Sequence, residues 1–250
     1  MPGGMRTCDS HECSQLNELK IDTNALCFTS FYKLQGDIIM IEQMPLFGGW
    51  AGDVEQVAIN NVATHIASFV LLSGDWHLDG PVHVRWGITT ARESLMIAGY
   101  AGRAMDKHTH CLLGNQYYTA AGPGTEMCLL EAAAQAATDT MAGREIMSGC
   151  ASLKGTQLDY TTPIESRVMA YMADAVAGMP LEKANPMLDK LVALYEKNFE
   201  KAAKTTELRG KTIKQVYDMT TLLPTPEWLE TMGKAMKTMA GLGYKFKSYA

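Results

Sequence analysis

Apolar residues along this chain fall into two rhythms. Short dense runs at residues 37–42 (DIIMIE), 81–86 (PVHVRW), 110–114 (HCLLG) and 149–153 (GCASL) read as strands, and residues 25–31 as a weaker one. Longer stretches between them repeat at helical spacing. Val54, Val57, Ala58, Val62, Ile66 and Val70 follow Asp53-Val-Glu-Gln56, whose first and fourth side chains suit a capping box. Thr90-Ala-Arg-Glu93 predicts a second helix start by the same device. Thr162-Pro-Ile-Glu165 predicts a third, with Pro163 at the first helical position, where its missing N–H costs nothing. From Leu181 onward the pattern is all helix. Met187, Leu188, Leu191, Leu194, Tyr195 and Phe199 make a core stripe, and Thr225-Pro226 opens one more helix.

Strand–helix alternation with short loops implies an α/β fold, a parallel sheet with helices packed outside it. Doubly wound sheets and (β/α)₈ barrels both satisfy the pattern, but four or five strands are too few to close a barrel. No repeat or linker divides residues 1–250, which read as one domain with 181–250 as an outer helical extension. A partial barrel would leave two open sheet edges, which proteins normally cover. The chain is therefore expected to be incomplete or to need a partner segment.

Composition narrows the function. Hydrophobic residues make up 47% and charged residues 20%, ordinary for a globular protein, and the net charge of −5 argues against nucleic acid or an anionic membrane as partner. The charge is uneven: residues 181–250 carry 12 Lys/Arg against 8 Asp/Glu, while residues 1–180 carry 10 against 19. The acidic part is expected to hold the site. Six cysteines, at 8, 13, 27, 111, 128 and 150, form no CxxC pair and read as reduced thiols of a cytoplasmic protein. No run approaches the roughly 18 apolar residues of a membrane span. The 17 methionines fall mostly at helix-core spacing.

Chemistry concentrates where strands end, as it does in parallel α/β folds. The first strong strand ends at Glu42-Gln43. A carboxylate there must pair with an arginine or serve in a reaction, because burying it alone is expensive. HCLLG runs into Asn115-Gln116-Tyr117-Tyr118, where period two sends Gln116 and Tyr118 to one side, toward a cavity shared with Glu42. His83 and Arg85 suit an ion network with Asp75 or Asp79. The segment Asp9–Gln15 (DSHECSQ) lacks the second histidine of HExxH, and His108 and His110 have no evident third partner, so no metal site is expected. AGPGTE at 121–126 has neither P-loop nor GxGxxG order and is expected to turn a strand into its helix. No GxSxG elbow supports serine catalysis.

Four stretches in order, GGM-RTCDSHECSQLNELKID, DIIMIEQMPLFGG, WHLDGPVHVRWG and GNQYYTAAGPGTEMCLLEA, resemble the monomethylamine methyltransferases of methylotrophic methanogens. The likeness continues through KLVALYEKN to the C-terminal helices. It implies a (β/α)₈ TIM barrel, here in its C-terminal part. The implied activity moves the methyl group of monomethylamine to the Co(I) corrinoid of a separate corrinoid protein, and the implied assembly is a homo-oligomer, hexameric in the family. Its signature residue, pyrrolysine, is absent here, because in the family it lies upstream of the GGM…DSHE segment. The expectation is a fragment downstream of an in-frame amber codon, inactive alone. By the same resemblance the cavity residues are Glu12, Glu42, Gln116 and Tyr118: Glu42 to hydrogen-bond or protonate the pyrrolysine ring nitrogen, Glu12 and Gln116 to hold the methylammonium, and Tyr118 to complete the polar wall. No DxHxxG corrinoid-binding pattern occurs, so the cobalt is expected on the partner protein. Two other readings remain: a non-catalytic fragment that assembles with a complementary N-terminal half, and a hydrolase using Glu12 and Glu42 as an acid/base pair.

Overall fold

The computed structural model describes residues 9–15, 20 and 22–247; Cys8 and the rest of the N-terminal MPGGMRTC stretch lie outside the described residues. Chain order begins β1 (Ser10–Ser14), α1 (Thr23–Gln35), β2 (Ile38–Gln43), β3 (Leu46–Phe47), α2 (Val54–Val70), β4 (Trp76–Asp79) and β5 (Val82–His83). It continues α3 (Arg92–His108), β6 (Leu113–Tyr118), α4 (Glu126–Met141), β7 (Ile146–Ala151) and α5 (Pro163–Val176). The last elements are α6 (Leu181–Tyr195), α7 (Phe199–Lys204), α8 (Ile213–Val216), β8 (Tyr217–Asp218), β9 (Leu223–Pro224) and α9 (Pro226–Gly241). The main sheet is parallel throughout, in the order β1-β2-β4-β6-β7.

Register gives this sheet two different faces. Ser14 lies beside Glu42, Glu42 beside Leu78, and Leu78 beside Gly114, so these share one face with Glu12, Gln116 and Tyr118 by alternation. The opposite face carries Ile39, Ile41, His77, Asp79, Leu113, Asn115 and Tyr117, all buried. Helices α1, α2, α4 and α5 pack against the sheet, and α4 also touches α3, α6 and α9. Surrounded on so many sides, α4 is built from alanines; Ala132, Ala133, Ala134, Ala136 and Ala137 are all fully buried. Small side chains let the neighbouring helices approach closely. The tail adds Tyr195, Trp228 and Met239 to this core.

Several local expectations hold. Asp53 caps α2 by accepting from the Gln56 N–H, Thr225 caps α9 by accepting from the Trp228 N–H, and Pro163 opens α5. In the Gly-rich loop before α4, a Cβ on Gly122 would sit 1.9 Å from the Arg209 carbonyl oxygen, so glycine there admits the returning C-terminal segment. Gly122 N–H donates to the Leu208 carbonyl, and Lys211 N–H to that of Pro123.

Others are corrected. Residues 25–31 are not a strand but part of α1, capped by Asp22 and closed by Gly36 in the left-handed region. Their apolar density belongs partly to the surface, since Phe28 and Phe31 are both more than half exposed. Residues 81–86 supply only the two-residue β5, paired with β3; the main-sheet strand is the preceding WHLD. β6 starts three residues later than expected and contains Gln116 and Tyr118 rather than ending before them. β7 starts earlier, at Ile146. Thr90 does not cap α3, whose N-cap is Ala91; its hydroxyl donates to Glu131 instead. On α2 the face turned inward is Val57, Ala58, Asn61, Thr64, His65 and Ser68, leaving Ile66 and Val70 exposed. Leu194 lies at the surface rather than in the α6 stripe.

The polar face of α2 explains this inversion. Asp79, at the end of β4, accepts from Asn61 Nδ2 at 2.6 Å, His65 Nε2 at 3.0 Å and Arg144 at 2.8 Å, all buried. Arg144 also donates to the Gly114 and Ala98 carbonyls and lies 3.3 Å from Asp139. Burial alone would push the Asp79 carboxyl up, but the Arg144 charge and the His65 hydrogen bond hold it well below the usual carboxylate range. Burial keeps His65 and His77 below the ordinary histidine value.

Candidate active site

The sheet face away from the helices brings the four sequence-derived residues together. Gln116 Nε2 donates to Glu42 Oε1 at 2.8 Å, and Ser14 Oγ approaches Glu42 Oε2 at 3.4 Å. Glu12 lies near enough to raise the Glu42 carboxyl, and Tyr118 near enough to feel both charges. Glu42, Gln116 and Tyr118 are half-buried; Glu12, on β1, is exposed.

The electrostatics follow from this crowding. Burial first, then the hydrogen bond to Glu12 and its charge, push Glu42 up to about 7, against the lowering hydrogen bonds from Gln116 and Ser14. Burial and the two nearby carboxylates push the Tyr118 phenol up as well. The result is a Glu42 carboxyl that holds its proton up to near neutrality, flanked by Glu12, an amide and a neutral phenol. Gln116 donates a side-chain N–H to Glu42, and the acceptor its amide adds to the cluster is Oε1. Such a surface is rich in acceptors and suits a small cation with several N–H donors.

Not every candidate joins it. His11 turns to the helix side, where its Nε2 contacts Asp37 at 2.9 Å and its ring stacks on Tyr32. His83 and Arg85 do not pair with Asp75 or Asp79. Asp75 is held by Lys33 and the Ile39 N–H, Asp79 by the buried network, and Arg85 lies over the Trp86 ring. Among the described residues, no group of three or more His, Cys, Asp or Glu is placed to hold a metal ion.

Comparison with known proteins shows the family. The family model for monomethylamine methyltransferase MtmB matches residues 1–244. The chain belongs to the monomethylamine methyltransferase family. Relatives include monomethylamine methyltransferase MtmB2 of Methanosarcina acetivorans, 53% identical over 244 residues, and MtmB of Methanosarcina mazei, 52% identical over 244 residues. Each alignment covers 98% of this chain and 52% of the relative, so the chain spans about half the length of the curated relatives it matches. The crystal structure of the Methanosarcina barkeri monomethylamine methyltransferase superposes with a TM-score of 0.94 at 53% identity, covering 98% of this chain and 52% of that one. A second similar structure, with the same score and coverage, is of a hydroxylamine complex of MtmB.

Sequence reasoning missed the residues that aim this site. Gly80, just beyond β4, is bare where a Cβ would meet Gln116 Cβ and Met44 Cε at 2.8 Å each. On α4, Glu131, Gln135 and Asp139 are all fully buried. Glu131 accepts from the Thr90 hydroxyl and the Ala120 and Ala121 N–H groups, Gln135 donates to the Gln116 carbonyl, and Asp139 accepts from Asn115 Nδ2. The signal was present: EAAAQAATD places Glu131, Gln135 and Asp139 at i, i+4 and i+8 on an alanine-rich helix.

Proposed function

We propose that this chain forms the C-terminal half of a (β/α)₈ barrel methyltransferase. In this reading the barrel takes the methyl group of monomethylamine and passes it to the Co(I) corrinoid of a partner corrinoid protein. The observation that carries the reading is the Glu12–Glu42–Gln116 cluster, with Glu42 held at about 7. Five parallel strands with these residues on the face opposite the helices suit a barrel interior whose remaining strands would pair with β1 and β7. That one similar structure is a complex with hydroxylamine, a small nitrogen compound, supports an amine-sized site.

Each residue has a task that its surroundings support. Amine is a poor leaving group, so transfer needs a positive charge kept on nitrogen, and facing carboxylates stabilise that charge. Glu12 and the Gln116 side-chain Oε1 accept N–H bonds from the methylammonium and orient its methyl group outward. Glu42, poised near neutral pH, holds or gives the proton at the nitrogen. Tyr118 stays neutral and closes the polar wall. Pyrrolysine, the family's electrophilic imine for capturing the amine, is not in this sequence; the Glu42 carboxyl and the Gln116 amide fit a ring nitrogen beside them. Exposed Phe28, Phe31 and Leu34 on α1 offer apolar surface for a homo-oligomer.

Two measurements test this. Methylammonium added to the chain is expected to lower the Glu42 titration midpoint followed by carboxyl carbon NMR, and tetramethylammonium, with no N–H donor, is not. Equal effects of the two cations would refute the site. Methyl transfer assayed with methylamine and the corrinoid protein is expected to show no turnover by this chain alone; turnover would refute the half-barrel reading.

A further inference from the structure

The β4 strand stops pairing with β6 at Asp79–Asn115, so the edge of β6 that carries Gln116 and Tyr118 loses its strand neighbour. On its other side the ladder with β7 breaks register between Asn115 and Tyr117. The most important stretch of the site is thus the least supported by regular sheet pairing. Two buried side chains take over. Gln135 Nε2 donates to the Gln116 carbonyl at 2.5 Å, and the Thr89 hydroxyl donates to Gln135 Oε1 at 2.6 Å. The same Thr89 oxygen accepts from the Tyr118 N–H at 2.8 Å, while the Thr89 N–H donates to the Tyr118 carbonyl at 3.0 Å. Thr89 therefore pairs with Tyr118 much as a strand residue would, and Gln135 closes the gap at Gln116.

We infer that Thr89 and Gln135 are positioning residues for the amine site, a two-residue clamp that stands in for the missing strand and aims Gln116 and Tyr118 at Glu42. Neither touches the reacting atoms. Their buried polar groups satisfy each other, so the clamp is rigid: rotating either side chain would orphan a donor or acceptor in a dry interior. Glutamine suits the position on α4 because its amide donates to the strand carbonyl with one end and accepts from Thr89 with the other. Leucine would fill the volume and do neither.

This inference rests on reading Glu42 and Gln116 as the amine site, and the experiment separates the two. The probe is the Glu42 titration midpoint in the 250-residue chain, followed by carboxyl carbon NMR. Removing the Gln116 amide in Q116L is expected to raise the midpoint by about half a pH unit or more, since that hydrogen bond holds it down. Q135L is expected to raise it equally, and the double variant Q116L/Q135L no further. T89S, which keeps the hydroxyl, is expected to titrate like the parent chain. Where Q135L does not fold, Q135N, which keeps the amide but falls short of Gln116, is expected to give the same upward shift. A Q135L or Q135N chain titrating like the parent, while Q116L shifts, overturns the clamp. A Q116L chain that does not shift overturns the site reading and the clamp with it.

Discussion

Gln116 reaches Glu42 across an intervening strand: its amide donates at 2.8 Å to a carboxyl 74 residues away in sequence, with β4 between them. The contact is possible because the residue following β4 is Gly80. A methyl group there would stand 2.8 Å from Gln116 Cβ, closer than side-chain carbons come. Gly80 does not have the positive φ that would itself require glycine, so space alone decides the residue.

G80A is accordingly expected to push Gln116 and Met44 aside, lengthen the bond to Glu42 and raise the Glu42 titration midpoint above about 7. The cost in stability is expected to be about 1–3 kcal/mol, the usual range for overpacking a filled site. Carboxyl NMR and urea unfolding of one variant measure both. A stable G80A chain with the parent midpoint would show that Gln116 reaches Glu42 without that gap.

Glu12 acts on Glu42 in the opposite sense. Its hydrogen bond and its charge both raise the Glu42 carboxyl, so E12Q is expected to lower the midpoint. At pH 7 the variant's Glu42 would be mostly ionised and no longer able to hold the proton. The pH profile of methylammonium binding is expected to move to lower pH with it. An E12Q chain whose profile is unchanged would mean that Glu12 does not raise the Glu42 carboxyl.

Glu42, Gln116 and Tyr118 could be read from sequence because each breaks an apolar strand at its end, and period two then settles which side it faces. Glu12 came from the resemblance to the family, since exposed β1 is too polar for its pattern to declare a strand. The errors share a cause. WHLD gave no strand signal because two of its four residues, His77 and Asp79, are polar yet point into a buried network. The apolar stripe proposed for α2 was rotated because that same network buries Asn61, Thr64, His65 and Ser68. Where a polar network replaces oil-like packing, hydrophobic periodicity points to the wrong face. The letters of α4 were legible in principle, but their partners are loop N–H groups and carbonyls, which a sequence does not display.

Glu131 tests that helix. Burial pushes its carboxyl up to about 7, against three hydrogen bonds that favour the ionised form. The folded value lies above the ordinary 4.5, so its contribution to stability is fully present below about pH 4.5 and is lost as pH rises through about 7. E131Q turns an amide N–H₂ toward a backbone donor and is expected to cost about 1–3 kcal/mol. The gap between parent and variant is expected to be widest near pH 4.5 and to narrow toward pH 8. Urea unfolding across that range checks the sign; a gap that widens with pH would place the Glu131 value below 4.5.

The Asp79 network behaves differently, because there the charge is matched. Arg144 and Asp79 are both without solvent exposure and 2.8 Å apart, and removing either leaves the other charged and dry. D79N is expected to cost about 3–5 kcal/mol. The double variant D79N/R144M is expected to cost clearly less than the sum of the singles. The folded Asp79 value lies below the unfolded 3.8, so its stabilisation is present above that pH and lost on acidification, and D79N is expected to flatten the acid limb of the unfolding curve. Because the network lies on the helix side of the sheet and the Glu42–Gln116 cluster on the other, D79N is expected to leave the Glu42 midpoint in place wherever the chain remains folded. Loss of stability together with a shifted Glu42 midpoint would show the two faces to be coupled through β4, and the division between a face that holds the fold and a face that holds the site would not stand.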